Sequence, residues 1–455
     1  MSHSDDELLR AIRLPSAILF VIGSVVGSGI FLTTGVMAET LPSTSLLLLA
    51  WTLGGVFALA GGLSYAEMGA MYPRSGGVYV FLREAYGSLP AFLYGWAALL
   101  VVISGGIAAV AVGFAEYLSY FIPVLSPSNI LIQPTLAGAT VKVSAGQLVA
   151  AASVLILGAI NYVGVRSGNM TNAVLTAAKI AALASLPLLA LFFRRATPEL
   201  SPIVPSGMGR PGAAFGIVMI AVLWTYEAWY FVTFAAGEIQ NPRRNVPRAL
   251  GLGVLALTAI YLSVNVAYFF ALPLEEIRGV TRIAERAAVA MVGPGGADFV
   301  AATVVVSTFG CNAAAILAGS RLLFAMSSDG VFFHSAAEVH PRYRTPHVAI
   351  VAITLWSTLL ALSGTYEQLF TYVMFSSVLF SLFGGIALFR LRRIAPDVPR
   401  PYRTLGYPWV PAVFVAGSAI FVANTLMERP FESLAGLGLL ALGLPAYWYW
   451  RRQEA

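Results

Sequence analysis

About twenty consecutive apolar residues cross roughly 30 Å of hydrocarbon, and this chain meets that requirement repeatedly. Twelve segments qualify: about 14–37, 45–68, 90–121, 146–164, 170–193, 213–238, 247–272, 297–326, 346–364, 366–391, 408–426 and 433–450. Only short polar connections separate them. Hydrophobic residues make up 58% of the chain and charged residues 11%, whereas a soluble domain is about one quarter charged. The pattern predicts an all-α integral membrane protein, with residues 1–455 forming one polytopic domain. The opening MSHSDDELLRAIRLPS is polar and has no small-residue cleavage pattern, so no cleavable signal peptide is expected.

Arginine sets the expected orientation. With the N-terminus in the cytoplasm, inner stretches hold 18 Lys and Arg residues and outer stretches hold 8. The positive-inside rule then predicts both termini inside a plasma (inner) membrane. The net charge of +6 reads as topology and attraction to anionic lipid. Nucleic-acid binding is not expected, because no soluble basic module carries it. The single cysteine, Cys311, lies in the eighth segment. It excludes a disulfide within the chain, and no loop thiol is present for a disulfide-linked partner subunit. His3, His334, His340 and His347 all fall in polar stretches. With no cluster at metal-ligand spacing, neither a metal nor a cofactor is expected.

Two segments are interrupted. The first carries Gly23-Ser24-Val25-Val26-Gly27-Ser28-Gly29, five small residues in seven. Glycine weakens a helix by roughly 1 kcal/mol relative to alanine. A broken helix persists in a bilayer only where its freed backbone lines a cavity or meets a ligand. A helix restarting there aims bare N–H groups at the membrane centre, which suits a carboxylate. Gly27, Ser28 and Gly29 are therefore the candidate cradle, with the Ser28 hydroxyl as a further donor. Small-xxx-small packing through Gly23 and Gly27 is the bland alternative, but packing alone does not call for five small residues. The sixth segment is interrupted at Leu223-Trp224-Thr225-Tyr226-Glu227-Ala228-Trp229-Tyr230, with an acid amid aromatics. A mid-membrane carboxylate is a functional candidate by default. Two breaks five segments apart predict an inverted repeat of 14–193 and 213–391, with 408–450 outside it and the site between the halves.

Lys179 is one of two lysines, and it lies about 14 Å into the fifth segment at 1.5 Å per residue. That is too deep for easy snorkelling, and burying its ammonium costs several kcal/mol unless it is paired or deprotonated. Asn161, Asn172, Asn265, Cys311 and Asn312 are candidates to line the cavity or, the favoured reading, to make interhelical hydrogen bonds. Glu116 is expected to be solvated. Ser104, Gly105 and Gly106 are candidates for shaping a side-chain pocket. The stretch after Pro73, Gly76 and Gly77 is expected to form a short amphipathic helix at the inner surface.

Four motifs now stand in order: GSGIF; EMGAMYPRSGGVY; WTYEAW followed by GEIQNPRRNVPRA; and GSRLLFAMSSDG. Together they resemble the amino acid–polyamine–organocation (APC) transporters, most of all the L-type amino acid transporter branch and its bacterial relatives, over about residues 12–450. The resemblance implies a LeuT-type five-plus-five fold of twelve helices with helices 1 and 6 broken. It implies that the Val25 carbonyl and those of Trp224, Thr225 and Glu227 receive a substrate ammonium. Trp224 matches an aromatic that caps the substrate. Ala228 stands where many relatives have glycine. Lys179 matches a lysine that takes the place of a sodium ion, near Gly23, Ser24, and Ser307 or Thr308. The function implied is sodium-independent, alternating-access transport of L-amino acids, by exchange, proton coupling or facilitated diffusion. Neutral ones fit best, because no midplane arginine or second acid matches a charged side chain. A channel or an amino-acid sensor on the same fold is the first alternative. An intramembrane Ser–Lys enzyme is a distant one, since no membrane histidine or nucleophile motif exists.

Overall fold

The computed structural model describes residues 10–133, 135–136, 139–140, 143–163, 165–206, 208–363 and 366–454, with side chains given outside 134–142, 164–174, 364–372, 432 and 452–454. The Asn172 side chain lies outside the described residues, as do His3, Lys142 and the side chains of Arg166 and Arg452.

The first apolar segment is two helices, α1 (Leu14–Val25) and α2 (Gly29–Thr40). Then come α3 (Thr44–Met71), α4 (Val78–Tyr86), α5 (Ser88–Ala97) and α6 (Ile103–Phe121). A π-helical turn at Ala98–Val102 joins the last two. A short antiparallel pairing of Ile130–Ile132 with Val143–Ser144, enclosing a second of Thr135–Leu136 with Ala139–Thr140, leads to α7 (Ala145–Val163) and α8 (Val165–Phe192). The sixth segment is again divided, into α9 (Pro211–Thr225) and the single turn α10 (Phe231–Phe234). The rest comprises α11 (Pro242–Ala271), α12 (Leu274–Ile277), α13 (Ile283–Val292), α14 (Pro294–Ser328), α15 (His347–Ser363), α16 (Tyr366–Ile394), α17 (Trp409–Glu428) and α18 (Pro430–Glu454). Proline opens α9, α11 and α14, where its missing N–H costs nothing and its fixed φ suits a first turn. The Ser43 hydroxyl caps α3 by accepting from the Leu46 N–H.

Among the described residues, nine helical stretches are long and apolar enough to cross a membrane. The other three expected spans fall on α9 with α10, on the 17-residue α15, and on α18. The chain is thus a mostly helical membrane protein. Its outer surface is apolar, with Leu148, Ile156, Leu252, Leu355, Leu359 and Ile420 exposed, as lipid requires.

The interrupted segments lie at the centre. α1 packs against α8, α11 and α14, and α2 packs against α9. From Phe20 to Val25 every α1 residue is buried.

One end of the fold is closed in layers. Ile12 forms a parallel bridge with Ile239, donating to Glu238 and accepting from Gln240. Arg321 of α14 and Glu238 form an ion pair at 2.7 Å that is almost wholly buried. Gly76 and Gly77, both at positive φ, carry the chain under Phe234 and Thr233, conformations that a side chain disfavours. This turn tucks α4 into the fold. Its residues Val78 to Leu82 are buried, so α4 is a packed plug rather than a helix lying on the surface. Only Arg83, Glu84 and Tyr86 on this helix reach the edge, which explains why its sequence reads as amphipathic. Arg83 pairs with Asp329. Tyr79 donates to the same carboxylate at 2.9 Å, and burial together with Asp329 pushes its hydroxyl well above the usual tyrosine range.

Candidate functional site

At the first break the helical ladder ends with Val26 N–H donating to Ile22. Gly27 N–H turns back to the Val25 carbonyl at 2.8 Å, and α2 begins at Gly29. The small residues are sterically required. A Cβ on Gly27 would press on Cys311, and one on Gly29 would collide with the Thr225 side chain. The first N–H groups of α2 have no partner within their own helix.

The second break is made by a left-handed residue. α9 ends at Thr225, and Ala228 takes φ +73. An L-residue with a Cβ pays roughly 1–2 kcal/mol for that conformation. The second break therefore holds strained backbone. The two breaks touch: Ser24 Oγ lies 3.3 Å from the Ala228 carbonyl, and the Thr33 and Thr225 hydroxyls are 3.4 Å apart.

The carbonyls freed at the first break are largely engaged. Lys179 Nζ donates to Gly23 at 2.6 Å and to Val26 at 3.0 Å. Ser307 on α14 donates to the same Val26 oxygen at 3.0 Å. The Ser24 carbonyl faces the Cys311 thiol at 3.0 Å. Tyr261 on α11 donates to the Val25 carbonyl at 3.3 Å. Two donors thus meet Val25, the oxygen that the family resemblance assigns to the substrate. Thr308 turns its hydroxyl onto its own helix, toward Val304 and Val305, and does not join the Lys179 group.

Both breaks open onto one cavity. Its walls include Val25, Gly27, Ser28 and Gly29 from the first break, and Trp224, Thr225, Glu227 and Ala228 from the second. Val102, Ile103, Gly106 and Ile107 supply an apolar side beside the π-helical turn. Asn312 of α14 also lines it, with an amide oxygen that is buried and unpartnered. Glu227 Oε1 accepts from Tyr230 at 2.7 Å and from Ser377 of α16 at 2.5 Å. Ser104 and Gly105 lie outside the wall, while Gly106 is part of it. Asn161 bonds within its own helix, and Asn265 accepts from Thr34 at 2.7 Å, an interhelical bond.

Sequence reasoning missed Tyr261, Tyr268 and Ser377. The first two carried a signal. Tyr261, Asn265 and Tyr268 sit at i, i+4 and i+7 on one face of α11, and bond Val25, Thr34 and Ile30 respectively. Such a polar stripe on an apolar helix marks the side that meets exposed backbone.

Two broken segments meeting at one cavity inside a polytopic helical protein define a membrane permease. The sequence profile of the amino acid permease family matches residues 12–435, and the chain belongs to that family, within the APC superfamily. It is 29% identical to the serine/threonine exchanger SteT of Bacillus subtilis (strain 168), with all of both chains covered. It is 28% identical to the human large neutral amino acids transporter small subunit 2, covering 98% of this chain and 82% of that one. Identity to the human cystine/glutamate transporter is 26%, covering 97% of this chain and 85% of the other. The family and these relatives are permeases and exchangers, and this chain is an amino acid transporter rather than an enzyme.

Proposed function

We propose that this chain is a sodium-independent secondary transporter of neutral L-amino acids working by alternating access. The observation that carries the reading is the convergence of both backbone breaks on one cavity. The α-carboxylate docks on the N–H groups of Gly27, Ser28 and Gly29, at the positive end of α2, with Gly27 giving up its turn bond to the Val25 carbonyl. The α-ammonium meets carbonyls of the second break at Trp224, Thr225 and Glu227, and Val25 exchanges its Tyr261 bond for the substrate. Trp224, with 8% of its surface exposed, covers the bound molecule. The side chain enters the apolar wall of Val102, Ile103 and Ile107. Lys179, with Gly23 and Ser307, supplies the fixed positive charge that a sodium ion would otherwise bring. The fold is the LeuT-type inverted repeat of 14–193 and 213–391, with 408–450 as two added helices.

The arginine-rich end closed by Glu238–Arg321 faces the cytoplasm in this reading, with both termini on that side of the plasma (inner) membrane. Cys311 is buried within α14, which supports transport without a disulfide-linked partner subunit. Thermal-shift measurement with each of the twenty L-amino acids tests the reading, since a ligand at 100 times its Kd stabilises by roughly 2.7 kcal/mol. Counterflow of the stabilising amino acids in proteoliposomes is the expected companion result. Stabilisation by none of them, together with no counterflow, removes the proposal.

A further inference from the structure

A polar side chain in the cavity wall is left unused by the fold. Asn312 of α14 keeps 1% of its surface exposed and lines the cavity, and its amide oxygen is buried without a partner. Its polar neighbours in the wall are already engaged. Ser24 donates to the Phe20 carbonyl, Thr225 to Ala221 and the Cys311 thiol to Ser24. Tyr230 donates to Glu227, which also receives Ser377. Asparagines that hold helices in place look different. Asn161 donates to Leu157, while Asn265 accepts from Thr34 and donates to Tyr261.

A buried amide without a partner is costly, and native folds leave few of them. In a ligand cavity, such a group marks where a ligand completes the bonding. The surroundings set the size of what fits. Val102, Val110 and Val373 make the nearby wall apolar. Ala315, three residues on along α14, is small, and a Cβ placed on Gly106 would meet nothing within 4 Å. The carboxylate cradle is close: a Cβ on Gly27 would lie 3.3 Å from the thiol of Cys311, the residue before Asn312. A molecule anchored there by its α-carboxylate reaches α14 with a short side chain.

We infer, building on the transport function proposed above, that Asn312 selects the substrate by its side chain, and that the preferred substrates are short hydroxyl amino acids, threonine and serine. A hydroxyl both donates and accepts, so it serves the amide whichever of its two polar atoms faces the cavity. The γ-methyl group of threonine then rests on the apolar wall. Valine has the same shape but leaves the amide dry and unpaired. A carboxamide side chain brings a second polar atom, which the valines around it cannot satisfy.

The test uses the full chain in proteoliposomes. Counterflow of each of the twenty labelled L-amino acids comes first. If none moves, the transport reading itself fails, and this inference with it. Isosteric pairs then isolate the hydroxyl: threonine against valine, and serine against 2-aminobutyrate. The members of each pair nearly match in volume, so cavity size does not separate them. The hydroxylated member should compete for uptake roughly tenfold better. Equal competition within the pairs overturns the inference while leaving transport intact.

Asn312→Leu replaces the amide with an apolar group of similar volume. The preference for threonine over valine should then disappear or reverse, because valine no longer leaves a buried amide unpaired. If that variant is inert, Asn312→Ala, which keeps a good helix former in α14, decides by the same ratio. A preference that survives the substitution overturns the assignment. If uptake of every amino acid falls alike and the ratio stays as it was, the amide meets the α-ammonium that all substrates share, and the inference is wrong.

Discussion

Lys179 of α8 and Ser307 of α14 donate to one and the same oxygen, the Val26 carbonyl, each at 3.0 Å. The last carbonyls of α1 are thus tied to two other helices by a side chain that keeps 1% of its surface exposed. A helix C-terminus carries partial negative charge, and the ammonium sits where that charge gathers.

Lys179→Ala should accordingly lose most transport. Gly23 and Val26 would be left short of donors, at roughly 1–3 kcal/mol for each unsatisfied buried group. Lys179→Arg should not rescue it, because the wider fork does not fit a site shaped for a point charge. Uptake by the unaltered protein should be equal in sodium-free and sodium-containing buffer. A strict sodium requirement would falsify the assignment of Lys179 as the fixed cation.

Ser28→Leu tests the carboxylate cradle. A leucine at the N-cap of α2 sits in the cavity wall and blocks a close approach to the N–H groups. Uptake should fall to background while the protein still inserts and melts cooperatively. An analogue with the carboxylate replaced by an amide should fail to compete with substrate on the unaltered protein. Near-native binding by the leucine variant would show that the anion lies elsewhere.

Trp224→Ala separates occlusion from affinity. The indole ends α9 above the cavity, so removing it should slow net transport more than it weakens equilibrium binding. Matching losses in both would make the ring part of the binding surface rather than a cover.

How far the sequence spoke depended on whether the signal was local. The glycine-serine run announced the first break, because loss of helix propensity is written into the residues themselves. At the second break the aromatic cluster and Glu227 marked the place. The left-handed turn at Ala228 did not show, since alanine is a good helix former and only tertiary contacts hold it at φ +73. The helical nature of Val78–Tyr86 was legible, but its burial was not, because that depends on Gly76 and Gly77 folding it beneath Phe234. Pairings across the chain were silent: the partner of Arg321 lies 83 residues away, and no period or motif links the two.

Ala228→Gly follows from the strained turn. Glycine adopts positive φ without steric cost, and relieving the strain should stabilise the fold by about 1 kcal/mol after the larger entropy loss of glycine is counted. Thermal unfolding in detergent should shift upward. A lower midpoint would mean that the Ala228 methyl group contributes more through its packing than its backbone costs.

The ion pair between Glu238 and Arg321 lends itself to a two-variant test. Its side chains keep 2% and 1% of their surface exposed, and the Glu238 backbone carbonyl also receives the Ile12 N–H at 2.9 Å. Removing one partner leaves an uncompensated buried charge, which costs about 3–5 kcal/mol. Glu238→Gln alone should therefore destabilise the protein strongly. Replacing both, Glu238→Gln with Arg321→Met, should recover much of that loss, because no charge is then left unpaired. Transport should separate the roles further. If the pair holds the arginine-rich end shut, the double variant should favour the state open on that side. A cysteine-reactive probe applied from that side should then label Cys311 in the cavity wall faster than in the unaltered protein. Recovered stability with unchanged labelling would assign the pair to the static frame of the fold instead of its gate.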